Sequence, residues 1–591
     1  MPVEDDRVGL WPLLVCWSLT AGAFVLRAML GAGSTPLILD TDDAMRLTVV
    51  HDLIGGQGWF DFVQHRLNTP YGGEIHWSRL IDVPEAGLLL ILRPLFGVAA
   101  DIAAAYVWPL ALLLLLLWLT ARLALRFGGR GAVLPALLLP AFSLITMAEF
   151  APGRFDHHSV QILLALAMLY CAVAALERPR FALGAGVAAA TALAVGIEGL
   201  PMVGASILVF GLAWVTDPRH AVALRDFGLS FAPGTGLALA QGVPPARWLV
   251  PATDAISIVF VLGAMLCAAA FVVLSLSPLR TWAHRLWAGL VAGALVGAIL
   301  LGVYPAILKG PYGLLDPWLI ANWIDRISEA EPWIVSLVGE PVYPIAVIVP
   351  VFTALAVIAW NILRRRGDRG AWFAYGVFLA VALVVMLMQI RAARIAVPLA
   401  VPACAMLVGA AWQRMVSSRG VGPILALAGT AIVSAGVAVA VIATAVVLAF
   451  PNYAEATSDK FRAARQACLQ PGAFADLAGL PPERIMAPID LGSHLLLFTP
   501  HAVVAAPYHR NQQGVLDAFH FFNGPIEEGR KILAARGIGL VVICPAMKEI
   551  RGLVEHAPDS FVTLFAEDRL PGWLAEQSLP DSPLRVYAVL P

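Results

Sequence analysis

Residues 98–120 read VAADIAAAYVWPLALLLLLLWLT, an apolar run in which Asp101 is the single charged residue. A helix of about 20 apolar residues is long enough to span the hydrocarbon core of a bilayer. The whole chain has this character, because 60% of its 591 residues are hydrophobic, 13% are charged, and the mean hydropathy is +0.80. A soluble protein carries roughly twice that charged fraction. The sequence therefore predicts a mainly α, multi-pass transmembrane helical bundle.

Further apolar runs lie on both sides of this one, and they predict about thirteen spans in all. The weakest is the run at 227–242, because Pro233, Gly234 and Gly236 interrupt it. With the N-terminus inside, arginines occupy the short inner loops, as the positive-inside rule requires. The predicted spans are residues 8–30, 98–120, 131–148, 159–176, 181–197, 199–215, 227–242, 256–276, 286–307, 342–362, 372–390, 394–412 and 423–449.

Polar segments divide the chain into a transmembrane domain at 1–450, with outer loops at 31–97 and 304–340, and an extracytoplasmic domain at 451–591. In the last segment, short runs rich in Val and Ile alternate with helix-like stretches, which is typical of a soluble α/β domain. The predicted strands are 484–489, 494–499, 502–507, 540–545 and 585–590, and the predicted helices are 512–522 and 525–536.

The distribution of histidines predicts that the chemistry lies on the outer face. All twelve histidines except His220 and His284 lie in predicted outer segments or at outer span ends. Of the six cysteines, only Cys468 and Cys544 have polar surroundings, where they form either one disulfide or two buried thiols. The net charge of -1 gives no signal for a nucleic-acid partner.

Two outer clusters contain potential metal ligands. The first, LDTDDAMR at 39–46, opens a helix, so its acidic residues either favour the helix N-terminus or supply oxygen ligands for Mg²⁺ or Mn²⁺. The second, PGRFDHH at 152–158, places Asp156 and His158 two residues apart at the outer end of a span. Asp156 could instead cap that span, and a lone interfacial histidine is commonly a hydrogen-bonded bystander.

Two further clusters lie at the same outer boundary. Glu329, in the stretch ISEAEP at 327–332, is either a solvated loop residue or part of an active site. Arg391 and Arg394 lie at an outer span end, where the positive-inside rule disfavours arginine. They either snorkel to lipid phosphates or bind the phosphate of a lipid-linked substrate.

The order of these parts resembles the catalytic subunit of oligosaccharyltransferases, within the GT-C class of membrane glycosyltransferases. Asp40 and Arg46 fit an Asp-to-Arg spacing in the first loop of that family, whereas the stretch DDAMR at 42–46 is similar to other GT-C enzymes; Asp42 or Asp43 is favoured and Asp40 stays open. The stretch 153–158 resembles the second-loop motif Gly-x-x-Asp-x-acid, with a histidine in the last place. The stretch 328–332 and the Arg391–Pro398 spacing also resemble family motifs.

The C-terminal domain departs from the family signature Trp-Trp-Asp-Tyr-Gly. The nearest stretch, PIDLG at 488–492, keeps Asp490 and a glycine but has neither aromatic residue. In the family those residues bind the hydroxyl-bearing acceptor sequon, so their absence predicts a different acceptor. The polar stretch PYHRN at 507–511 offers His509 and Arg510 as sugar or phosphate ligands, or forms a turn held by hydrogen bonds.

Together these features predict a glycosyltransferase that transfers sugar or glycan from a polyprenyl phosphate- or diphosphate-linked donor to a protein, lipid or polysaccharide acceptor. The rivals are a lipid or glycan flippase and a non-catalytic assembly subunit. Only four of the 39 basic residues are lysines, which indicates a GC-rich bacterial genome. The predicted location is therefore the bacterial inner membrane, with the active face and the C-terminal domain periplasmic. The predicted site has a divalent cofactor, Mg²⁺ or Mn²⁺. Its residues are catalytic Asp42, Asp43 and Glu329; substrate-binding Arg46, Arg391, Arg394, Asp490, His509 and Arg510; and metal ligands Asp43, Asp156 and His158.

Overall fold

The computed structural model describes residues 7–418, 420–449, 461–551 and 554–591. Within those residues, 9 helices or helix runs are long and apolar enough to cross a membrane. The pair Val421–Ser434 and Gly436–Leu448, bent by 89°, makes a tenth if it is one span. The nine are Leu10–Gly31, Arg79–Gly128, His158–Ala175, Ile197–Thr216, Ile258–Leu276, Trp282–Val303, Val342–Leu363, Arg369–Met388 and Ile390–Ser418.

The predicted bundle is confirmed, but a count of thirteen spans is not. The run 131–148 forms three short helical pieces, Arg130–Leu138, Leu139–Phe142 and Leu144–Glu149. The run 181–197 forms the 15-residue helix Phe181–Val195, which is short for a spanning helix. The weak run 227–242 is part of a continuous helix, Ala221–Gly242, which includes the charged pair Arg225 and Asp226 and packs against Phe181–Val195.

The two outer loops contain short elements of their own. The first loop forms the helix Thr41–Ile54 and an antiparallel hairpin of β1, Val63–Gln64, and β2, Gly73–Glu74. A helix at Arg79–Phe96 and a 3₁₀ turn then lead into Ala100–Gly128. The second loop consists of the short helical segments Pro305–Lys309, Pro317–Asn322, Ile324–Arg326, Ser328–Ala330 and Trp333–Gly339.

The C-terminal region forms the predicted α/β structure around a five-stranded sheet with the order β4-β3-β5-β7-β6. Strand β3 is parallel to β4 and β5, whereas β7 is antiparallel to β5 and β6. The strands are β3 Arg484–Met486, β4 Ala502–Val503, β5 Leu540–Ile543, β6 Leu574–Glu576 and β7 Arg585–Val589. The helices are Arg462–Cys468, Pro471–Phe474, Ala475–Ala478, Ile489–Phe498, His509–Asn511, Gln512–Asn523, Ile526–Arg536 and Phe561–Ala566.

One strand prediction is wrong. Residues 494–499 were expected to be extended, but most of them belong to the helix Ile489–Phe498. Leu491 and Leu495 are four residues apart on one face of this helix and are fully buried. A short apolar run fits either a strand or a buried helix, so periodicity could not separate the two.

This domain packs directly on the first outer loop. Met45 and Trp77 of the loop share a buried apolar cluster with Leu491 and Leu495. Arg66 donates to the carbonyl oxygens of Leu496 and Thr499, both at 2.8 Å, where the helix Ile489–Phe498 leaves its last carbonyls unpaired. These contacts seat the domain over the outer ends of the membrane helices.

The disulfide alternative is the correct one, because Cys468 and Cys544 are bonded, with a Cα–Cα distance of 6.0 Å. The bond links the helix Arg462–Cys468 to the end of β5.

Candidate active site

A cavity of about 650 Å³ lies between the outer ends of the spans, both outer loops and the C-terminal domain. Most of the polar residues expected from the sequence line it. They are Asp42, His158, Glu329, Arg391, Arg394, His509 and Arg510. Asp43 and Asp156 lie immediately behind its wall and are buried.

The acidic residues at the start of the helix Thr41–Ile54 have different surroundings. Asp40 is the N-cap, because its Oδ1 accepts the backbone N–H of Asp42 at 3.1 Å. The Asp42 side chain is thereby left facing the cavity. Burial, together with the nearby Asp156 and Asp40 carboxylates, raises the pKa of Asp42 well above its ordinary value. A raised pKa suits a cavity-facing carboxyl group to proton exchange near neutral pH.

Asp43 joins this helix to the 152–158 segment. Its Oδ1 accepts the backbone N–H groups of Phe155 at 2.7 Å and Asp156 at 2.8 Å, and its Oδ2 lies 2.9 Å from Arg154 Nη1. Burial raises the pKa of Asp43 to about 8, although Arg154 opposes the shift. Asp43 is thus placed to position the segment that follows Arg154.

Gly153 is required by the backbone rather than by a bound group. Its φ is +97°, and a Cβ there would lie 1.8 Å from the carbonyl oxygen of Leu37. The tight turn directs Arg154 back toward Asp40, 2.7 Å away, and presents the next residues to the cavity.

Asp156, His157 and His158 form a group whose potential ligand atoms all lie within 4.8 Å of one another. His157 Nδ1 is 2.5 Å from Asp156 Oδ1, and His158 Nε2 is 3.0 Å from Asp156 Oδ2. His157 Nε2 also contacts the carboxylate of Glu198. The group therefore combines imidazole nitrogens with carboxylate oxygens at the cavity wall.

Electrostatics and donor chemistry both fit a bound cation. Within the described part of the chain, the buried Asp156 Oδ2 accepts no hydrogen bond of good geometry. Burial raises the pKa of Asp156, but His157 and His158 outweigh it and hold the pKa well below the ordinary range. Burial lowers the pKa of His157, but Asp156 and Glu198 raise it to about 10. Two imidazoles beside carboxylates suit Mn²⁺ or Zn²⁺ better than Mg²⁺.

This grouping differs from the predicted metal ligands in one member. His157 joins Asp156 and His158, whereas the Asp43 carboxylate is engaged by backbone N–H groups and Arg154. Sequence reasoning passed over His157 because the family resemblance places a ligand two residues after the aspartate, at His158.

Arg391 and Arg394 have different surroundings. Arg394 contacts Glu149 at 2.9 Å and Glu329 at 2.7 Å, and its Nη1 lies 2.6 Å from His158 Nε2. Arg391 donates through Nε and Nη2 to a neutral partner, the Gln389 amide oxygen, at 3.1 and 2.9 Å. Among the described residues Arg391 has no ion-pair partner, so it brings a positive charge to the cavity, while Arg394 holds Glu329 beside His158.

His509 and Arg510 bind protein carboxylates on the opposite wall. Arg510 contacts Asp254 through Nε at 2.7 Å and Nη2 at 3.0 Å, and its Nη1 lies 2.7 Å from Glu74. His509 Nε2 lies 2.8 Å from the same Asp254 carboxylate. We call Glu74, Asp254, His509 and Arg510 the clasp. It ties the C-terminal domain to the hairpin and to the 243–257 loop.

Arg46 and Asp490 do not line the cavity. Arg46 is fully buried, pairs with Asp82 at 2.7 Å and lies 4.2 Å from the Trp77 ring centroid. Asp490 is exposed at the start of its helix, and its N–H donates to Glu549 Oε1 at 3.3 Å. Arg46 instead supports the group of Asp156, His157 and His158 from behind, with Nη2 3.5 Å from His157 Nδ1.

Several acidic residues of the site went unassigned from sequence. Glu198 stands alone within an apolar stretch, and that isolation was its only signal. Glu149 and Asp254 lie at the ends of apolar runs with no motif around them. Glu149 belongs to the site because it pairs with Arg394, and Asp254 because it pairs with Arg510.

No protein-family profile and no curated protein matches this sequence. Solved structures do match. The archaeal oligosaccharyltransferase AglB from Archaeoglobus fulgidus, in complex with an inhibitory peptide and a dolichol-phosphate, aligns with a TM-score of 0.69 at 13% identity, over 98% of this chain and 74% of that one.

Two other Archaeoglobus fulgidus oligosaccharyltransferase structures align at 13% identity over 98% of this chain. One is tethered to an acceptor peptide containing the NVT sequon, with a TM-score of 0.63 over 75% of that chain. The other is a complex with Zn and sulfate, with a TM-score of 0.59 over 74% of that chain. At this identity the likeness establishes the fold. The chain therefore has the GT-C fold of the membrane oligosaccharyltransferases, as its sequence predicted.

Proposed function

We propose that this protein is a metal-dependent membrane glycosyltransferase that takes sugar from a polyprenyl-linked donor at the outer membrane boundary. One observation carries the proposal: a single cavity collects a carboxylate of raised pKa, a metal-ligand group and a cationic arginine. Asp42, His157, His158 and Arg391 line this space, and Asp156 lies directly behind its wall. These are the groups that cleavage of a phosphate-linked sugar requires.

Asp156, His157 and His158, with Glu198 beside them, would hold the divalent ion. When bound, such an ion neutralises the charge that develops on a phosphate or diphosphate leaving group. A similar oligosaccharyltransferase has been solved in complex with Zn and sulfate, which supports a divalent metal in this protein.

Arg391 would bind the donor phosphate, because its present partner is a neutral amide that a phosphate can displace. Arg394 would stay paired with carboxylates and keep Glu329 over the cavity. Asp42 would accept the proton of the acceptor nucleophile, for which a raised pKa is suited.

The acceptor is proposed to differ from the Asn-x-Ser/Thr sequon, although a similar oligosaccharyltransferase is tethered to a peptide containing such a sequon. The stretch 488–492 lacks the paired tryptophans, begins the helix Ile489–Phe498 and lies away from the cavity. The cavity side of the domain instead presents Tyr508, His509 and Arg510. A lipid or polysaccharide hydroxyl would suit this polar wall.

The flippase alternative fits the placement of charge less well. A transporter places ionisable groups near the bilayer midplane. Here His158, Glu198 and Arg394 lie within the first residues of their spanning segments, at one membrane boundary. The disulfide between Cys468 and Cys544 supports an oxidising compartment on that side, consistent with a periplasmic face of a bacterial inner membrane.

The test uses the purified chain in liposomes with a radiolabelled polyprenyl-linked sugar pool extracted from cells lacking this protein. We expect Mn²⁺- or Zn²⁺-dependent loss of label from the lipid and its appearance on a hydroxyl acceptor. Label that crosses the bilayer while still attached to the lipid would establish a flippase instead. An unchanged lipid pool with every acceptor would favour the assembly-subunit alternative.

A further inference from the structure

The cavity wall formed by the hairpin and the C-terminal domain holds a histidine that the proposed function does not use. His76 follows strand β2 and lines the cavity. Its Nδ1 is buried without a hydrogen-bond partner among the described residues, and no described residue hydrogen-bonds its Nε2. A buried polar atom without a partner in a binding cavity indicates that a ligand supplies the partner.

His76 is held in its neutral form. Burial, with His509 and Arg510 close by, lowers the pKa of His76 to about 3. A neutral imidazole offers one N–H donor and one acceptor nitrogen. A sugar hydroxyl group is itself a donor and an acceptor, so it can pair with either ring nitrogen.

Aromatic rings surround this imidazole. The centroids of the His76 and His509 rings are 4.6 Å apart, and Tyr312 meets the His509 ring edge-on at 5.4 Å. All three rings line the cavity. A pyranose has apolar C–H faces and an edge of hydroxyl groups, so it fits a site in which aromatic rings stand beside a few well-placed polar groups.

The charged side chains of this wall are paired with one another. Glu74 pairs with Arg247 and Arg510. Asp254 pairs with Arg510 and His509. A charged sugar would lose its hydration here without gaining an ion-pair partner, which is costly. The wall therefore suits an uncharged sugar.

The position of His76 fits the donor. The ring centroid of the next residue, Trp77, lies 6.4 Å from that of His157. His157 belongs to the group that would hold the divalent ion. A sugar whose phosphate is bound at that group would therefore reach His76.

We propose, building on the proposed function, that His76 is a specificity-determining residue for the donor. It hydrogen-bonds a hydroxyl group of an uncharged sugar, and the apolar face of that sugar packs on Tyr312 and His509. His76 thereby contributes to binding only when a sugar is attached to the lipid phosphate.

The probes are undecaprenyl phosphate without sugar and the same lipid carrying glucose, galactose, mannose or N-acetylglucosamine, with glucuronic acid as the charged comparison. Their dissociation constants are measured on the purified full chain in nanodiscs, with Mn²⁺ and without acceptor. We expect at least one uncharged sugar to bind more tightly than the bare lipid, and glucuronic acid to bring no such gain. His76→Phe should weaken binding of the preferred lipid about three- to tenfold, as expected for one lost hydrogen bond, and leave the bare lipid unchanged.

His76→Gln keeps a neutral donor and acceptor, so it should retain most of the gain from the sugar. The matched control is His65→Phe, because His65 is an exposed histidine of the same loop that pairs with Asp61, and it should change neither constant. The bare lipid separates this inference from the proposed function, since its binding depends on Arg391. Binding of the bare lipid with no gain from any uncharged sugar, or equal losses in His76→Phe and His65→Phe, would overturn the sugar site and leave the donor phosphate site standing. If no lipid binds, both are wrong.

Discussion

Breaking the clasp should release the C-terminal domain from the cavity wall. Asp254 receives three hydrogen bonds of 2.7–3.0 Å from His509 and Arg510, and the Asp254 and Arg510 side chains are only 14% and 19% exposed. Removing one partner of a largely desolvated, bidentate pair costs about 2–4 kcal/mol. Asp254→Asn should therefore raise hydrogen exchange around the clasp by about 30- to 700-fold, at about 1.4 kcal/mol per tenfold.

Hydrogen exchange with mass spectrometry checks this, with the Asn511 and Val250 amides as reporters, since each donates to a carbonyl close to the clasp. The matched control is Glu576→Gln, which removes an ion pair with Arg585 whose side chains are 51% and 45% exposed. Such a pair contributes at most about 1 kcal/mol. Exchange in Asp254→Asn no faster than in the control would show that the clasp does not hold the domain.

The clasp also sets a pH dependence. Burial raises the pKa of the Asp254 carboxyl, but His509 and Arg510 hold it well below the ordinary range. A depressed carboxyl pKa contributes stability above the unfolded value of about 3.9, and the contribution is lost as the pH falls toward the folded value. Exchange at the clasp should therefore be constant from neutral pH down to about pH 4, after intrinsic rates are corrected, and accelerate below it.

Other changes should separate catalysis from folding. Asp42→Asn should lower turnover about 10²- to 10⁴-fold while leaving thermal stability nearly unchanged; equal losses in both would contradict its role. Glu329→Gln should lower turnover without lowering expression, whereas the exposed Glu340→Gln in the same loop should do neither. Arg391→Gln should raise the KM for the lipid-linked donor more than it lowers kcat, as measured in steady-state assays. His158→Asp should shift bound metal from Zn²⁺ toward Mn²⁺, as measured by equilibrium dialysis and elemental analysis.

The sequence predicted the elements that depend on residues close together in the chain. Apolar runs located the spanning helices, and the helices Gln512–Asn523 and Ile526–Arg536 lie within one residue of prediction. The acidic and histidine clusters at span ends likewise meet in one cavity. An apolar run alone does not, however, reveal whether a helix crosses lipid or is packed among other helices, as Phe181–Val195 is.

Roles that depend on distant partners could not be read from the chain. The spacing of Asp40, Asp42 and Asp43 does not say that the first caps a helix, the second faces the cavity and the third accepts N–H groups more than 100 residues away. From the sequence, His509 and Arg510 are candidate hydrogen-bond donors to a sugar or phosphate. The structure shows that both contact Asp254.

Release of label from a radiolabelled polyprenyl-linked sugar, with and without chelator, tests the proposed chemistry in one experiment on wild-type and Asp42→Asn protein in liposomes. We predict release by the wild type that stops with chelator, resumes when Mn²⁺ or Zn²⁺ is added, and is nearly absent from Asp42→Asn. Release that persists in chelator, or at the same rate in Asp42→Asn, would contradict a metal-dependent transferase built on this cavity.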